Sequence, residues 1–359
     1  MSVDLPDLRG ALSNPSLVAR PHTLRFTTPL PLSSGRTLDD YRLSFETYGT
    51  LGPAADNAVL VCHSLTKTAH AAGRHTPGET PSGWWHAAIG PGRMLDTDRY
   101  FVICSDTLGA GASSGPATHP DFPVVTVRDI VAAQHRLTQA LGISRLHAVI
   151  GGCFGGQQAL QWAISHPEAV GSAVVIATTP DTSPHTVAIF SVMRHLIPYG
   201  VNSAVMAAVP LWMSSAALRE KFGRRTAHGG DYRYTLDPEF AVEAFLARIA
   251  DRPEPAIDPD SLLHLMRAEE YFDLAHDHGS LEAALAPVTA RTLFVSYRTD
   301  WRYPPEEADV LHRTLLRQGT PSRHAVLDSP LGHGAFLYDV PTLARQVAPF
   351  LAAAERSHA

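Results

Sequence analysis

Short apolar runs recur along the chain at 58–62 (AVLVC), 100–104 (YFVIC), 146–150 (LHAVI), 173–177 (AVVIA) and 292–296 (TLFVS), with a weaker one at 324–327 (HAVL). Runs without polar alternation predict strands covered on both faces, as in a parallel sheet. Helix-like stretches at 127–141, 156–166 and 305–318 separate several of them. This strand–helix–strand order predicts an α/β architecture, a mostly parallel sheet flanked by helices. Residues 21–50 behave differently. There LRFTTPLPL and TLDDYRLSFETYG alternate apolar and polar positions, as in a hairpin at a sheet edge. Between about 181 and 278 the alternation stops, and MAAVPLWMSSAALREKFG and PEFAVEAFLARIAD read as helical with no clear strand. The expected organisation is a core of 1–180 and 279–359 with a helical insertion at 181–278. Such an insertion is either a lid over a site or a packing layer with no gating role.

Composition narrows the classes. The chain has 359 residues, 45% hydrophobic and 18% charged, with a formal net charge of −6. That is ordinary globular composition. With no basic run and no basic–aromatic interleaving, nucleic acid is not an expected partner. The 19 histidines form no ligand pattern, so no metal site is expected. The N-terminal MSVDLPDLRG lacks the basic start and apolar run of a secretory signal, and no stretch of about 18 apolar residues suggests a membrane span. Cys62, Cys104 and Cys153 cannot build a disulfide framework, which fits a reducing cytoplasm.

The strongest local signal is Gly151-Gly152-Cys153-Phe154-Gly155-Gly156, after the run LHAVI and before the helical GQQALQWAIS. This is G-x-S-x-G with Cys in place of Ser, in the strand–turn–helix setting that the nucleophile elbow of the α/β-hydrolase fold requires. The turn is tight enough that side chains beside the nucleophile would clash, hence the glycines. A thiol at a helix N-terminus meets the positive end of the dipole and free N–H donors, which favour its thiolate. Phe154 N–H is one natural oxyanion donor. Cys62 and Cys104 end apolar runs with no elbow and read as core.

In this fold the acid follows a late strand and the histidine a later loop. TLFVS-YRTD-WRYPP supplies Asp300, and LDSPLGHGAFL supplies His333 in a Gly-rich loop. His333 must reach the thiol, while Asp300 holds the other ring N–H so that the reactive nitrogen faces the nucleophile. Two alternatives stay open: Asp300 as a helix N-cap before PPEE, and Asp328 as the acid. The loop after AVLVC, His63-Ser64-Leu65-Thr66-Lys67, offers Leu65 N–H as the second oxyanion donor.

Further segments carry a resemblance: ETYGTL, CHSLTKTAH, AAGRH, GWWHAAIGPGRMLDTDRYFVICSDTLG, GPATHPDFPVVTVRDIVAAQ, GGCFGGQQALQWA, ALREKFGRR, DWRYPPEE and SPLGHGAFL. With these, the chain from about Leu43 to its end resembles the homoserine O-acetyltransferase family of α/β-hydrolase acyltransferases. The resemblance implies ping-pong acyl transfer from an acyl-CoA co-substrate to a small-molecule hydroxyl, with no bound cofactor. It also implies a homodimer paired through lid helices. Departures are informative. Cys153 stands where the family has Ser, Lys67 where it has Gly, and Gly334 where it has an Asp that helps hold the amino group of homoserine. Arg194 matches the Arg that binds the substrate carboxylate, in surroundings that have become apolar; it is either that ligand or a helix-surface residue. Lys67 places a cation near the substrate.

These departures predict an acyltransferase of specialised metabolism for which homoserine is a poor acceptor. The alternative is a hydrolase or lyase acting on an acylated intermediate, since a triad does not by itself choose between water and an acceptor. A binding protein that merely kept the fold is the third reading, which the intact elbow, acid and histidine oppose.

Overall fold

The computed structural model describes residues 17–80, 82–253 and 257–355. The first ten residues, read above as no secretory signal, lie outside the described residues. Eight strands form one sheet: β1 (His22–Phe26), β2 (Tyr41–Tyr48), β3 (Ala58–Cys62), β4 (Phe101–Ser105), β5 (Ala148–Gly152), β6 (Ser172–Ile176), β7 (Arg291–Tyr297) and β8 (Ser322–Leu327). Their order is β1-β2-β4-β3-β5-β6-β7-β8. β1 and β2 pair antiparallel, as do β2 and β4, and the other pairs are parallel. The expected α/β-hydrolase core and edge hairpin are therefore both present.

Burial explains the sequence pattern. β3, β4, β5 and β6 are buried at every position, which is why they read as unbroken apolar runs. Edge strand β1 alternates half-buried and exposed residues. The run predicted at 146–150 starts later as a strand, because Leu146 leaves the ladder to bridge Val170. Helices α1 (Val127–Ala140) and α2 (Phe154–Ser165) pack together, and α2 also lies on β5 and β6. A buried chain of hydrogen bonds ties the two helices. Gln134 donates to Gln158 (2.9 Å) and accepts from the Trp162 indole (2.8 Å). Thr126 and Asp129 cap α1 with reciprocal bonds.

Between β6 and β7 the chain forms α3 (Pro184–Leu196), α4 (Val201–Ala207), α5 (Val209–Trp212), α6 (Ser215–Phe222), α7 (Ala241–Ala250) and α8 (Pro259–Glu270), then two short helical turns. Among the described residues this stretch holds isolated bridges but no strand. Ser183, Ser214 and Asp258 cap α3, α6 and α8, each accepting an N–H of the first turn. α9 (Pro305–Arg317) and α10 (Val340–Glu355) complete the core layers. No single helix among the described residues is long and apolar enough to cross a membrane.

Candidate active site

The strand order reverses around β3 and β5, and a crevice opens beyond the carboxyl ends of the strands there. Parallel register sets Cys62 of β3 beside Gly151 of β5, so the loop after β3 lies against the turn after β5. Cys153 occupies that turn with φ 60° and ψ −127°, a strained backbone for a residue with a side chain. Its N–H donates to Ile176 O (3.0 Å), and its carbonyl accepts from Gly156 (2.8 Å) and Gln157 (3.2 Å). Glycine is required alongside. A Cβ on Gly155 would lie 2.1 Å from Cys62 O, and one on Gly151 would lie 2.1 Å from Gly155 O. The strain holds the Cys153 side chain out at the start of α2.

Asp300 follows β7 and is buried. One of its oxygens accepts N–H bonds from Arg302 (3.0 Å) and Tyr303 (3.1 Å). The other faces His333 Nδ1 at 2.8 Å. Asp300 is not the N-cap of the following helix, whose cap position is Pro304; it braces its own turn and holds the histidine. Asp328 does neither, since it pairs with Arg298 at the surface. His333 sits in a single turn of 3-10 helix. Thr299 stitches that loop to the acid loop, donating to Ser329 O (2.6 Å) and accepting from Gly332 N (3.1 Å). Tyr303 and Phe336 meet the ring edge-on at 5.3 and 5.8 Å. Burial opposes charge on His333. The Asp300 carboxylate and the neighbouring Cys153 sulfur outweigh it and raise its pKa to about 10.

Cys153 and His333 line one cavity of about 330 Å³. Its floor includes Ser64, Leu65 and Thr66 from the loop after β3, with Lys67 of the same loop also lining it, and its cover comes from α3, α4 and α5. Leu65 N–H donates to no protein acceptor among the described residues. Phe154 is the first residue of α2, where the helix has no carbonyl for its N–H. Buried His63 steadies this floor. Its Nδ1 bonds Ser64 O (2.9 Å), and its Nε2 accepts from Thr107 N (3.1 Å).

Of the expected residues, the structure brings together Cys153, Asp300, His333, Leu65, Phe154 and Lys67. Arg194 stands apart. Phe190 and Met193 of α3 line the cavity, whereas the Arg194 guanidinium pairs with Glu270 and with Ser191 Oγ (3.0 Å). Arg194 is not among the residues that line the cavity. The sequence reading missed Arg302, which is buried, lines the cavity and pairs with the wholly buried Glu269. Tyr303 also donates to Glu269. Glu269 and nearby charges hold the guanidinium protonated against the cost of burial. Arg302 Nε has no partner among the described residues. Arg252, also missed, lines the same cavity.

A sheet of this order, with a strand–turn–helix elbow and a paired Asp and His at its carboxyl edge, defines the α/β-hydrolase class. Residues 57–339 match the family described as alpha/beta hydrolase fold. The homoserine O-succinyltransferase of Halothiobacillus neapolitanus is 40% identical, over 96% of this chain and 92% of its own length. Among solved structures, homoserine O-acetyltransferase from Bacillus anthracis superposes with a TM-score of 0.83 at 28% identity, covering 93% of this chain and 98% of that one. Esterase E22 gives 0.81 at 27%, covering 93% and 100%. The chain belongs to the homoserine O-acyltransferase family within the α/β hydrolases, and is an acyltransferase of that family.

Proposed function

We propose that the chain transfers an acyl group from an acyl-CoA to a small hydroxyl compound through a thioester on Cys153. The observation that carries this reading is the 2.8 Å contact of Asp300 with His333 in the cavity that the Cys153 elbow also lines. The raised pKa of His333 supports a resting imidazolium beside the Cys153 sulfur. In the first half-reaction the Cys153 sulfur attacks the thioester carbonyl. The bond to CoA breaks, and His333 gives its proton to the departing CoA thiolate. Leu65 and Phe154 N–H groups stabilise the oxyanion. Acylation removes the thiolate charge that helped keep His333 protonated, so the ring becomes a better base for the second half. His333 then takes the acceptor's hydroxyl proton as its oxygen attacks the acyl-Cys153, and the thiolate leaves.

Cys suits this cycle because exchange between two thioesters is nearly isoenergetic. The succinyltransferase name of the 40% identical relative supports a donor whose acyl chain ends in a carboxylate, and Arg302, although its charge is met by Glu269, keeps an unpartnered Nε at the cavity wall among the described residues. No carboxylate stands among the described residues that line the cavity, and Gly334, which lines it, stands where the resembled family has an Asp. A buried ammonium without a partner is costly. The acceptor is therefore a hydroxyl compound other than homoserine. Residues 181–278 serve as the lid, since α3, α4 and α5 roof the cavity. Exposed Tyr199, Tyr234 and Leu236 on the same segment support pairing of two copies there. The similarity to esterase E22 favours a second reading, in which water discharges the acyl-enzyme.

Intact mass spectrometry after incubation with succinyl-CoA or acetyl-CoA tests the proposal. One acyl adduct is expected, absent from Cys153→Ala. Persistence of the adduct until a hydroxyl acceptor is added separates transfer from hydrolysis. No adduct with either donor refutes the thioester mechanism.

A further inference from the structure

Two cations in the cavity wall have no counter-charge among the described residues. Lys67 belongs to the core loop after β3, and its backbone is fixed by a 2.9 Å bond from its own N–H to Ser64 O. Arg252 follows α7 in the inserted segment, and its carbonyl accepts from Asn202 Nδ2 of α4 at 3.0 Å. Neither side chain has a carboxylate partner among the described residues. Lys67 is half-buried and Arg252 exposed, so they mark the mouth of the cavity rather than its floor. They also act on each other, for burial and the nearby Arg252 charge together lower the Lys67 pKa. Tyr338, another lining residue, feels the Arg252 charge too. Like charges held close without an anion between them are unfavourable, and a negatively charged ligand relieves both. The protein as a whole carries net charge −6, so this local excess is not part of a general basic surface.

We propose that Lys67 and Arg252 form an anion subsite at the cavity mouth that takes phosphate or carboxylate oxygens of a substrate. The inference rests on the reading of the cavity as an acyl-transfer site and adds the chemistry that recognises the ligand. It differs in place from the buried Arg302 beside the triad. Because one cation comes from the core and the other from the insertion, the bound anion also draws the insertion onto the core. Two sources fit the chemistry: the phosphates of CoA, or a carboxylate on the acceptor.

Titration calorimetry separates them, with coenzyme A, succinate and neutral pantetheine as probes. The proteins are the unaltered chain, Lys67→Met, Arg252→Met and Lys67→Arg, each checked by its thermal unfolding curve. Each Met variant is expected to weaken binding of an anionic probe roughly tenfold, while Lys67→Arg keeps it. Pantetheine binding stays unchanged. Loss confined to coenzyme A assigns the subsite to its phosphates, and loss confined to succinate assigns it to a substrate carboxylate. The inference is overturned by any of three results: affinities in both Met variants within twofold of the unaltered protein, an equal loss for pantetheine, or no binding of either anion by the unaltered protein. The acyl-transfer reading fails separately, if Cys153 takes no acyl group in the mass spectrum, and that result leaves these affinities standing.

Discussion

Asp300→Asn tests the assignment of roles most sharply. One oxygen of Asp300 accepts the N–H groups of Arg302 and Tyr303. An Asn carbonyl can keep both, so the loop should hold and stability change little. The other oxygen faces His333 Nδ1 at 2.8 Å, and there the variant puts an amide NH₂. To accept from that NH₂, the imidazole must leave Nδ1 bare and carry its proton on Nε2. Nε2 then lacks the lone pair that receives a proton from an acceptor hydroxyl. The carboxylate charge that helps raise the His333 pKa to about 10 is lost as well. Loss of the tautomer and the charge together should slow turnover roughly ten-thousandfold, about 5 kcal/mol of transition-state stabilisation. Rapid-quench acylation and deacylation, followed by intact mass, measures both half-reactions, and a urea melt shows whether the fold is intact. An intact fold with both rates within tenfold of the parent would refute the role given to Asp300.

Gly155→Ala should cost about 3 kcal/mol of stability, because its Cβ would lie 2.1 Å from Cys62 O and 3.1 Å from His63 O, backbone atoms that cannot swing aside; a urea midpoint within experimental error of the parent would contradict this. Gly334→Asp should make homoserine a measurable acceptor by supplying an anion to the cavity wall, although the new Cβ meets Trp212 O at 3.2 Å and costs some stability; discharge of the acyl-enzyme by homoserine, compared with serine, reads it out. His333 has a folded pKa of about 10 against an ordinary 6.5, so its contribution to stability is complete below pH 6.5 and lost as pH rises through 10. Cys153→Ala removes the thiolate's share, so the fall in Tm between pH 6.5 and 10 should be shallower in that variant.

The contrast between Cys153 and Arg302 shows what kind of information a sequence holds. Cys153 was legible because its requirements are local. A tight turn needs glycines within two residues, and Gly155 and Gly151 answer to backbone oxygens 2.1 Å away. The buried strands were legible for a similar reason, since β3, β5 and β6 are covered on both faces and contain almost nothing polar. Arg302 depends instead on Glu269, which lies 33 residues earlier on a helix of the insertion. A trace of this existed. Leu262, Leu265, Met266 and Glu269 share one helical face, and all four are buried, so a carboxylate on an apolar stripe called for a buried cation. Arg194, which the sequence left open as either a carboxylate ligand or a helix-surface residue, shows the same dependence on a distant partner. Its position matched a motif, yet its neighbour one helix away, Glu270, is the residue that decides what its charge does. Glu269 and Glu270 are adjacent in sequence and claim different arginines, because successive helical residues point about 100° apart. The inserted helix thus sorts these arginines by which of its carboxylates reaches each, whereas Lys67 and Arg252, reached by no carboxylate among the described residues, are left for an anionic ligand in the subsite proposed above.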